Sequence, residues 1–187
     1  MLYTSTRGQT DMVCSAHAIT RGLADDGGLF VPQKFATLTL DEIVAMSELP
    51  YAERAAKILS FFLTDYTEEE LLACTSAAYS EERFSGFAAP LKQVKDKIAV
   101  LELWHGPTSA FKDMALQLLP HLLMKAIEKT GVQNDIVILV ATSGDTGKAA
   151  LEGFADVKGT QIIIFYPDAG VSDIQKRQMI TQHSGTV

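Results

Sequence analysis

The chain has 187 residues, of which 47% are apolar and 21% are charged. This is ordinary usage for a globular protein, and it excludes collagen-like repeats, a disulfide scaffold and intrinsic disorder. Lysine and arginine total 16 against 23 aspartates and glutamates, so the net charge of −7 argues against binding to nucleic-acid phosphates.

Neither a membrane segment nor an export signal is visible. The apolar runs are far shorter than the ~20 residues that a membrane helix needs, and the N-terminus lacks the features of a signal peptide. Cys14 and Cys74 fit no C-x-x-C or zinc spacing and are interpreted as reduced structural thiols. These observations predict a cytoplasmic protein with no membrane partner and no metal site.

Up to residue 90 the sequence indicates polar turns followed by short helices. Thr39 is a capping hydroxyl followed by acidic residues. Residues 53–66 carry Ile58, Phe61 and Phe62 on one helical face. Thr67 and Glu70 have the spacing of a capping box, which opens a further helix. The pattern predicts a small, mainly helical N-terminal domain over residues 1–90.

Beyond residue 90, predicted strands and helices alternate. Residues 98–103 form a short β-rich segment. Residues 136–141 and 162–165 are unbroken apolar runs, typical of strands buried on both faces of a parallel sheet. The alternation predicts an α/β fold with helices on both faces of a doubly wound parallel sheet.

The helix between the first two of these strands has an apolar stripe from residue 115 to residue 127. Pro120 lies within the stripe, so the sequence predicts a kink there. A last helix, from Ser172 to about His183, is followed by what resembles the start of another strand. Because sheets usually have ~5–6 strands, we expect residues 91–187 to be the incomplete first part of a sheet domain, truncated at its C-terminal end.

Residues 141–147 are the first candidate binding segment. They follow a buried strand and open a helix, where free amides and the helix dipole favour an anion. Gly144 and Gly147 allow a close approach, and the hydroxyls of Thr142, Ser143 and Thr146 add donors. A capped helix start without a ligand explains the composition equally well. The P-loop pattern fails on both sides of Gly147-Lys148, and no G-x-G-x-x-G occurs, which argues against a nucleotide site.

Residues 102–113 are the second candidate. They also lie between a predicted strand and a helix, so we expect them at the same sheet edge as the first segment. Lys112 falls near the helix start, where the dipole disfavours the ammonium form and so favours an amine that attacks carbonyls. A solvent-exposed lysine is the alternative. His105, Phe111 and Asp113 are interpreted as turn, core and helix-start residues.

The sequence of residues 102–113, E-L-W-H-G-P-T-S-A-F-K-D, closely resembles the lysine segment of the threonine synthase family. That family belongs to the tryptophan-synthase-β-like group of pyridoxal phosphate (PLP) proteins. Residues 141–150, A-T-S-G-D-T-G-K-A-A, resemble its substrate-carboxylate loop, and residues 3–8 and 23–32 resemble its N-terminal region. The matches occur in family order across nearly the whole chain.

The resemblance implies a fold type II, PLP-dependent lyase of threonine biosynthesis, which converts O-phospho-L-homoserine and water to L-threonine and phosphate. Lys112 would bind PLP covalently and then serve as the mobile acid and base. Phe111 would lie beside the cofactor, and Asp145 near its phenolic oxygen. The substrate carboxylate would be held by Ser143, Gly144, Asp145 and Thr146.

In relatives, the loop that holds the PLP phosphate and the hydroxyl facing the pyridine nitrogen come from the later half of the chain. We therefore expect the 187-residue chain to be inactive alone. A homologue acting on another phosphorylated amino acid and a non-catalytic paralogue, serving as a regulatory or scaffold partner, remain alternatives. Ser172, Lys176 and Arg177 are interpreted as a solvated helix face rather than a phosphate site.

Overall fold

The structure is a computed structural model that describes residues 1–185. It has a mixed α/β architecture, as predicted. The strand expected at the C-terminal end falls largely on residues outside this range. The elements, in chain order, are β1 Tyr3–Ser5, α1 Ser15–Arg21, β2 Phe30–Pro32, α2 Leu40–Ser47, α3 Tyr51–Ser60, α4 Glu68–Ala78, α5 Glu81–Phe84, β3 Leu91–Lys95, β4 Ile98–Leu101, α6 Asp113–Leu116, α7 Leu119–Thr130, β5 Ile136–Ala141, α8 Asp145–Gly153, β6 Thr160–Phe165 and α9 Asp173–Ile180.

The chain forms two compact units. Unit 1 comprises Met1–Ala77 and His121–Gln133, and unit 2 comprises Ala78–Pro120 and Asn134–Val187. The division into two domains at residue 90 stays a prediction. Within residues 1–185, no helix is both long enough and apolar enough to cross a membrane.

The helix starts predicted in unit 1 are confirmed. The Thr39 hydroxyl accepts from the Glu42 amide, and the Glu42 carboxylate accepts from the Thr39 amide at 2.7 Å, which completes a capping box at α2. Thr67 and Glu70 exchange the same two hydrogen bonds at the start of α4, at 2.8 and 3.2 Å. Both capping boxes could be predicted because the two residues of each box are only three positions apart in the sequence.

The single helix predicted over residues 53–66 is wrong, since α3 ends at Ser60. Beyond that point the chain turns, and the carboxylate of Asp65 accepts hydrogen bonds from the Ala16 amide, at 2.8 Å, and from the Ser15 hydroxyl. Asp65 thereby caps α1, whose N-cap residue Cys14 makes no side-chain cap bond of its own. A tertiary contact has overridden the local helical pattern.

The core of unit 1 forms where α4 and α7 share apolar residues. Leu71, Leu123 and Ala126 are all buried. Tyr66 is also buried, and its hydroxyl donates to the Leu122 carbonyl at 2.9 Å. Burial is the main cause that raises the pKa of this phenol.

Unit 2 contains two separate two-stranded sheets. Strands β3 and β4 pair antiparallel, from Leu91 opposite Leu101 onward, and every residue of both is exposed. The expectation that residues 98–103 supply a strand of the parallel sheet is therefore wrong. Strands β5 and β6 pair in parallel, with Ile136 opposite Thr160 and Ala141 opposite Phe165. The doubly wound arrangement stays a prediction.

The parallel strands are not buried on both faces, contrary to expectation. Exposed and less exposed residues alternate along β5, and Leu139 is 65% exposed. On β6, Ile162 is buried while Ile163 and Phe165 are exposed. Helix α8 contacts β5 and α9. One face of the described sheet is thus left as an open apolar surface.

The helix predicted to kink at Pro120 is instead broken. Helix α6 ends at Leu116, and α7 begins at Leu119. Pro120 is the second residue of α7, where the missing amide hydrogen would have had no intrahelical acceptor. At the other end of α7, the Gly131 amide donates to the Ile127 carbonyl at 2.9 Å with φ +69°, so this glycine caps the C-terminal end of the helix.

Candidate active site

Lys112 lies at the start of α6, with helical dihedrals of φ −59° and ψ −26°. Its carbonyl accepts from the Leu116 amide at 3.0 Å. Its amine lies 4.5 Å from the centre of the Phe111 ring. Phe111 is 59% exposed, so its interpretation as a core residue is wrong. The loop presents a primary amine beside an open aromatic face.

Asp113, the first residue of α6, is completely buried. Its Oδ2 accepts from the Thr108 amide at 2.8 Å, and its Oδ1 accepts from the Thr108 hydroxyl at 2.7 Å. Burial raises the pKa of this carboxyl, and the two bonds from Thr108 oppose the shift. Its interpretation as a helix-start residue is confirmed. The contact with Thr108 was missed, since no general sequence pattern signals it.

A smaller polar cluster lies earlier in the same segment. His105 Nε2 is 2.8 Å from Glu102 Oε2, and both side chains are partly exposed. Trp104 is half exposed and stacks on His105, with ring centres 5.7 Å apart. The pairing with Glu102 orients the imidazole, while the indole gives the segment a second exposed aromatic ring.

The segment from residue 142 onward forms the start of α8. Gly144 is the N-cap residue, and the Thr142 hydroxyl oxygen accepts from the amides of both Gly144 and Gly147 at 3.1 Å. Thr142 thus caps the helix by accepting two hydrogen bonds, which leaves its O–H donor unused by these contacts. Within the described residues, the amides of Ser143, Asp145 and Thr146 have no acceptor. Three amides at the positive end of a helix dipole are free to donate to an anion, and anion binding by this segment stays a prediction.

Helix α9 contacts this loop through a residue that the sequence did not point to. The side-chain amide of Gln175 donates to Asp145 Oδ1 at 2.8 Å. It also fills the space beside Gly144, where a Cβ would lie 2.5 Å from the Gln175 amide, and Gly144 has φ +155°. The dihedral angle therefore favours glycine at 144, and a side chain there would displace the flexible end of Gln175. A contact across 30 residues leaves no local signal.

Ser172 and Lys176, considered as phosphate ligands in the sequence, have other partners. The Ser172 hydroxyl caps α9 by accepting from the Gln175 amide at 3.3 Å. The Lys176 amine lies 3.8 Å from the Asp168 carboxylate and 5.9 Å from the centre of the Tyr166 ring. These contacts are consistent with a solvated helix face.

The helices that follow the two candidate segments contact each other, whereas the strands that precede these segments lie in separate sheets. Helix α6, which follows Lys112, contacts α8, which follows the 142–144 loop. Gly153 of α8 meets the Leu116 carbonyl so closely that a Cβ would lie 2.1 Å from its oxygen. Within residues 1–185, no group of three metal-ligating side chains could hold a metal ion.

Comparison with known proteins reveals the relatives of this chain. Residues 2–79 match the family model of the threonine synthase N terminus. Threonine synthase from Pseudomonas aeruginosa is 42% identical over 185 residues, which cover 97% of this chain and 38% of that protein. Threonine synthase-like 1 from Pongo abelii is 40% identical over 173 residues, which cover 88% of this chain and 23% of that protein.

The structural comparison agrees with these sequence matches. A crystal structure of PLP-bound threonine synthase from Brucella melitensis has a TM-score of 0.84 and 39% identity, and the match covers 96% of this chain and 38% of that one. The chain is therefore similar to the threonine synthases over nearly its whole length, and the resemblance seen in its sequence is confirmed. More particularly, it is an N-terminal portion, spanning 38% of the length of the Pseudomonas protein.

Proposed function

We propose that the chain is the N-terminal part of a PLP-dependent lyase that converts O-phospho-L-homoserine and water to L-threonine and phosphate. The observation that carries this proposal is the Lys112 amine, placed beside the exposed Phe111 ring in the same unit as the free amides at the start of α8. The relative from Brucella, whose structure is PLP-bound, supports the choice of cofactor.

The residues present fit part of a PLP site. Lys112 provides the primary amine for covalent binding, and Phe111 provides an exposed aromatic face for the cofactor ring. PLP, when bound, supplies an electron sink for carbanion chemistry. Lys112 Nζ would remove the α-proton and a β-proton of the substrate and, acting as the acid, would return protons at the α- and γ-carbons. Phosphate would leave from the γ-carbon with the C–O electron pair, and water would add its hydroxyl at the β-carbon and give its proton to phosphate.

The start of α8 binds the substrate carboxylate in this proposal. The unpaired amides of Ser143, Asp145 and Thr146 donate to it, the hydroxyls of Ser143 and Thr146 add further donors, and Gly144 allows the close approach. In this proposal Asp145 would help to hold PLP at its phenolic oxygen, and the hydrogen bond from Gln175 orients the Asp145 carboxylate. The positive end of the helix dipole favours a bound anion here.

The proposal is tested by adding PLP to the chain, reducing with borohydride and locating the adduct by peptide mass. We expect the adduct at Lys112 and its loss in Lys112→Ala. Lys158→Ala, which changes an exposed lysine of the same unit, should leave it unchanged. Labelling spread evenly over surface lysines would contradict the assignment of Lys112 as an activated amine in this chain.

A second experiment measures whether the chain alone turns over substrate. The chain alone should release no phosphate from O-phospho-L-homoserine, because it spans 38% of the length of its Pseudomonas relative. Measurable threonine formation by the chain would refute this expectation.

A second candidate is a threonine-synthase-like homologue that acts on another phosphorylated amino acid. The observation that favours it is the similar identity to threonine synthase-like 1, 40% against 42% for the bacterial threonine synthase. Phosphate release from O-phospho-L-homoserine and from O-phosphoserine, compared in a polypeptide of full family length carrying this chain, distinguishes the two. A function that survives Lys112→Ala would instead indicate a non-catalytic paralogue.

A further inference from the structure

The loop that precedes Lys112 is closed by a buried carboxylate. Both oxygens of Asp113 accept hydrogen bonds from one residue, the amide of Thr108 on Oδ2 and its hydroxyl on Oδ1. Asp113 has no exposed surface. A carboxylate buried in this way is retained only if its hydrogen-bonding capacity is used, since an unsatisfied buried charge is strongly destabilising.

The same loop has backbone features that need external support. Ser109 has φ +58°, a left-handed conformation that is unfavourable for a residue other than glycine. Its amide donates to the Gly106 carbonyl at 3.1 Å, which makes a tight turn. A Cβ on Gly106 would lie 2.5 Å from both Cβ and Oδ2 of Asp113. The turn is therefore wrapped directly around the Asp113 side chain.

The turn also determines where Lys112 begins its helix. The Asp113 amide donates to the Ala110 carbonyl at 3.0 Å, and the Leu116 amide donates to the Lys112 carbonyl at 3.0 Å. Lys112 is thus held on both sides, by the turn before it and by α6 after it. Since Asp113 directly follows Lys112, any shift of the Asp113 side chain also shifts the Lys112 backbone.

We propose that Asp113 is a positioning residue, whose hydrogen bonds to Thr108 lock residues 106–112 and hold the Lys112 amine where it binds PLP. This inference rests on the proposed function for the role of Lys112. The lock itself is a property of the loop and is measurable without PLP.

Three substitutions test the lock. Asp113→Asn keeps the side-chain shape but replaces one acceptor oxygen with an amide NH2 group, which cannot accept a hydrogen bond from Thr108. Thr108→Val keeps the shape and removes the hydroxyl donor, whereas Thr108→Ser keeps the donor. Three quantities are measured. They are the share of borohydride-reduced PLP found on Lys112, the acylation of the Lys112 amine by acetic anhydride, and amide hydrogen exchange over residues 106–112.

We expect Asp113→Asn to lower the PLP share of Lys112 about tenfold, because small misplacements of a reacting group cost factors of this order. Acylation of Lys112 should not fall, since the amine stays accessible. Exchange over residues 106–112 should accelerate. Thr108→Val should change the PLP share and the exchange in the same direction by less, and Thr108→Ser should restore wild-type values.

A wild-type PLP share and wild-type exchange in Asp113→Asn would overturn the inference. If Asp113→Asn does not fold, the test rests on Thr108→Val and Thr108→Ser. Equal PLP shares of Lys112 and equal exchange in these two variants would overturn the inference. If the wild-type chain itself forms no adduct at Lys112, the proposed function fails. The exchange experiment then decides alone, with unchanged exchange in Asp113→Asn overturning the lock.

Discussion

Asp65 stabilises the start of a helix from a distant part of the chain. Burial raises the pKa of its carboxyl, but the hydrogen bonds from Ser15 and Ala16 outweigh burial, so the pKa lies below its ordinary value. A carboxylate whose pKa is lowered by folding contributes stability that is complete above the unfolded pKa. That contribution is lost as the pH falls through the folded pKa.

Asp65→Asn should therefore lower the free energy of unfolding at pH 7 by about 1 kcal/mol, the usual cost of a lost helix cap. The difference in the free energy of unfolding between variant and wild type should narrow as the pH falls below about 4, where this carboxyl becomes protonated in the unfolded chain. Urea unfolding of both proteins at several pH values between 7 and 3 measures this difference. Asp135→Asn, at an exposed position, is the control, and a gap independent of pH would contradict the prediction.

At this scale the sequence identified the chemical groups but not all of their partners. Lys112 and the hydroxyls of the 142–146 segment were recognised because their spacing and family pattern are local. Gln175 was missed because it reaches Asp145 across 30 residues. For Phe111 the alternative of a core position is wrong, since the side chain is exposed, while its place beside the cofactor stays a prediction.

Among the secondary-structure elements, α4 shows how a short sequence pattern fixes a boundary. Thr67 and Glu70 cap each other's amides, and Glu70 also pairs with Lys129 of α7, with Nζ and Oε2 2.6 Å apart. The hydrogen bond from Lys129 is the largest cause that lowers the pKa of Glu70, followed by the bond from Thr67. One side chain thus serves both a helix start and a contact between helices.

Thr67→Ala should lower the free energy of unfolding by about 1 kcal/mol, because the Glu70 amide loses its acceptor. Thr67→Ser keeps the hydroxyl and should restore most of that loss. Chemical denaturation of the three proteins at pH 7 makes the comparison. Equal stability of the alanine and serine variants would show that the hydroxyl does not cap α4.

Elements that depend on distant contacts were harder to predict than capped helix starts. Residues 98–101 have the composition of a strand and form one, but their partner is the preceding strand rather than the parallel sheet. Strand composition gives no information on pairing. Likewise, the apolar spacing of residues 115–127 predicted one helix, but the chain forms two, since α6 ends at Leu116 and α7 begins at Leu119. Apolar spacing alone does not show where a helix is interrupted.

For the molecule as a whole, the open face of the β5–β6 sheet is the main departure from expectation. Unbroken apolar runs predicted burial on both faces, but Val137, Leu139, Ile163 and Phe165 remain exposed. The mixed α/β class was predictable from the alternation of elements. The covering of this face was not, because it depends on which other segments contact the sheet.

This surface should bind a hydrophobic dye. Leu139→Thr should reduce the fluorescence of bound anilinonaphthalene sulfonate, while its free energy of unfolding stays within about 0.5 kcal/mol of wild type, as for most surface changes. Ile162→Thr, at a buried position of the paired strand, should instead destabilise the chain by about 1–3 kcal/mol. Unchanged dye fluorescence in Leu139→Thr would mean that this face is not the binding surface.

The interleaving of the two units has a consequence for synthesis on the ribosome. Unit 1 needs residues 121–133, yet residues 78–120 of unit 2 are made first. At roughly 5–20 residues per second, the first 77 residues wait a few seconds for their last helix. During that interval Tyr66 has no Leu122 carbonyl to bond, and apolar residues of α4 lack their partners. We therefore expect chaperones to bind the exposed apolar residues of the nascent chain mainly after α4 has been synthesised and before α7 has been.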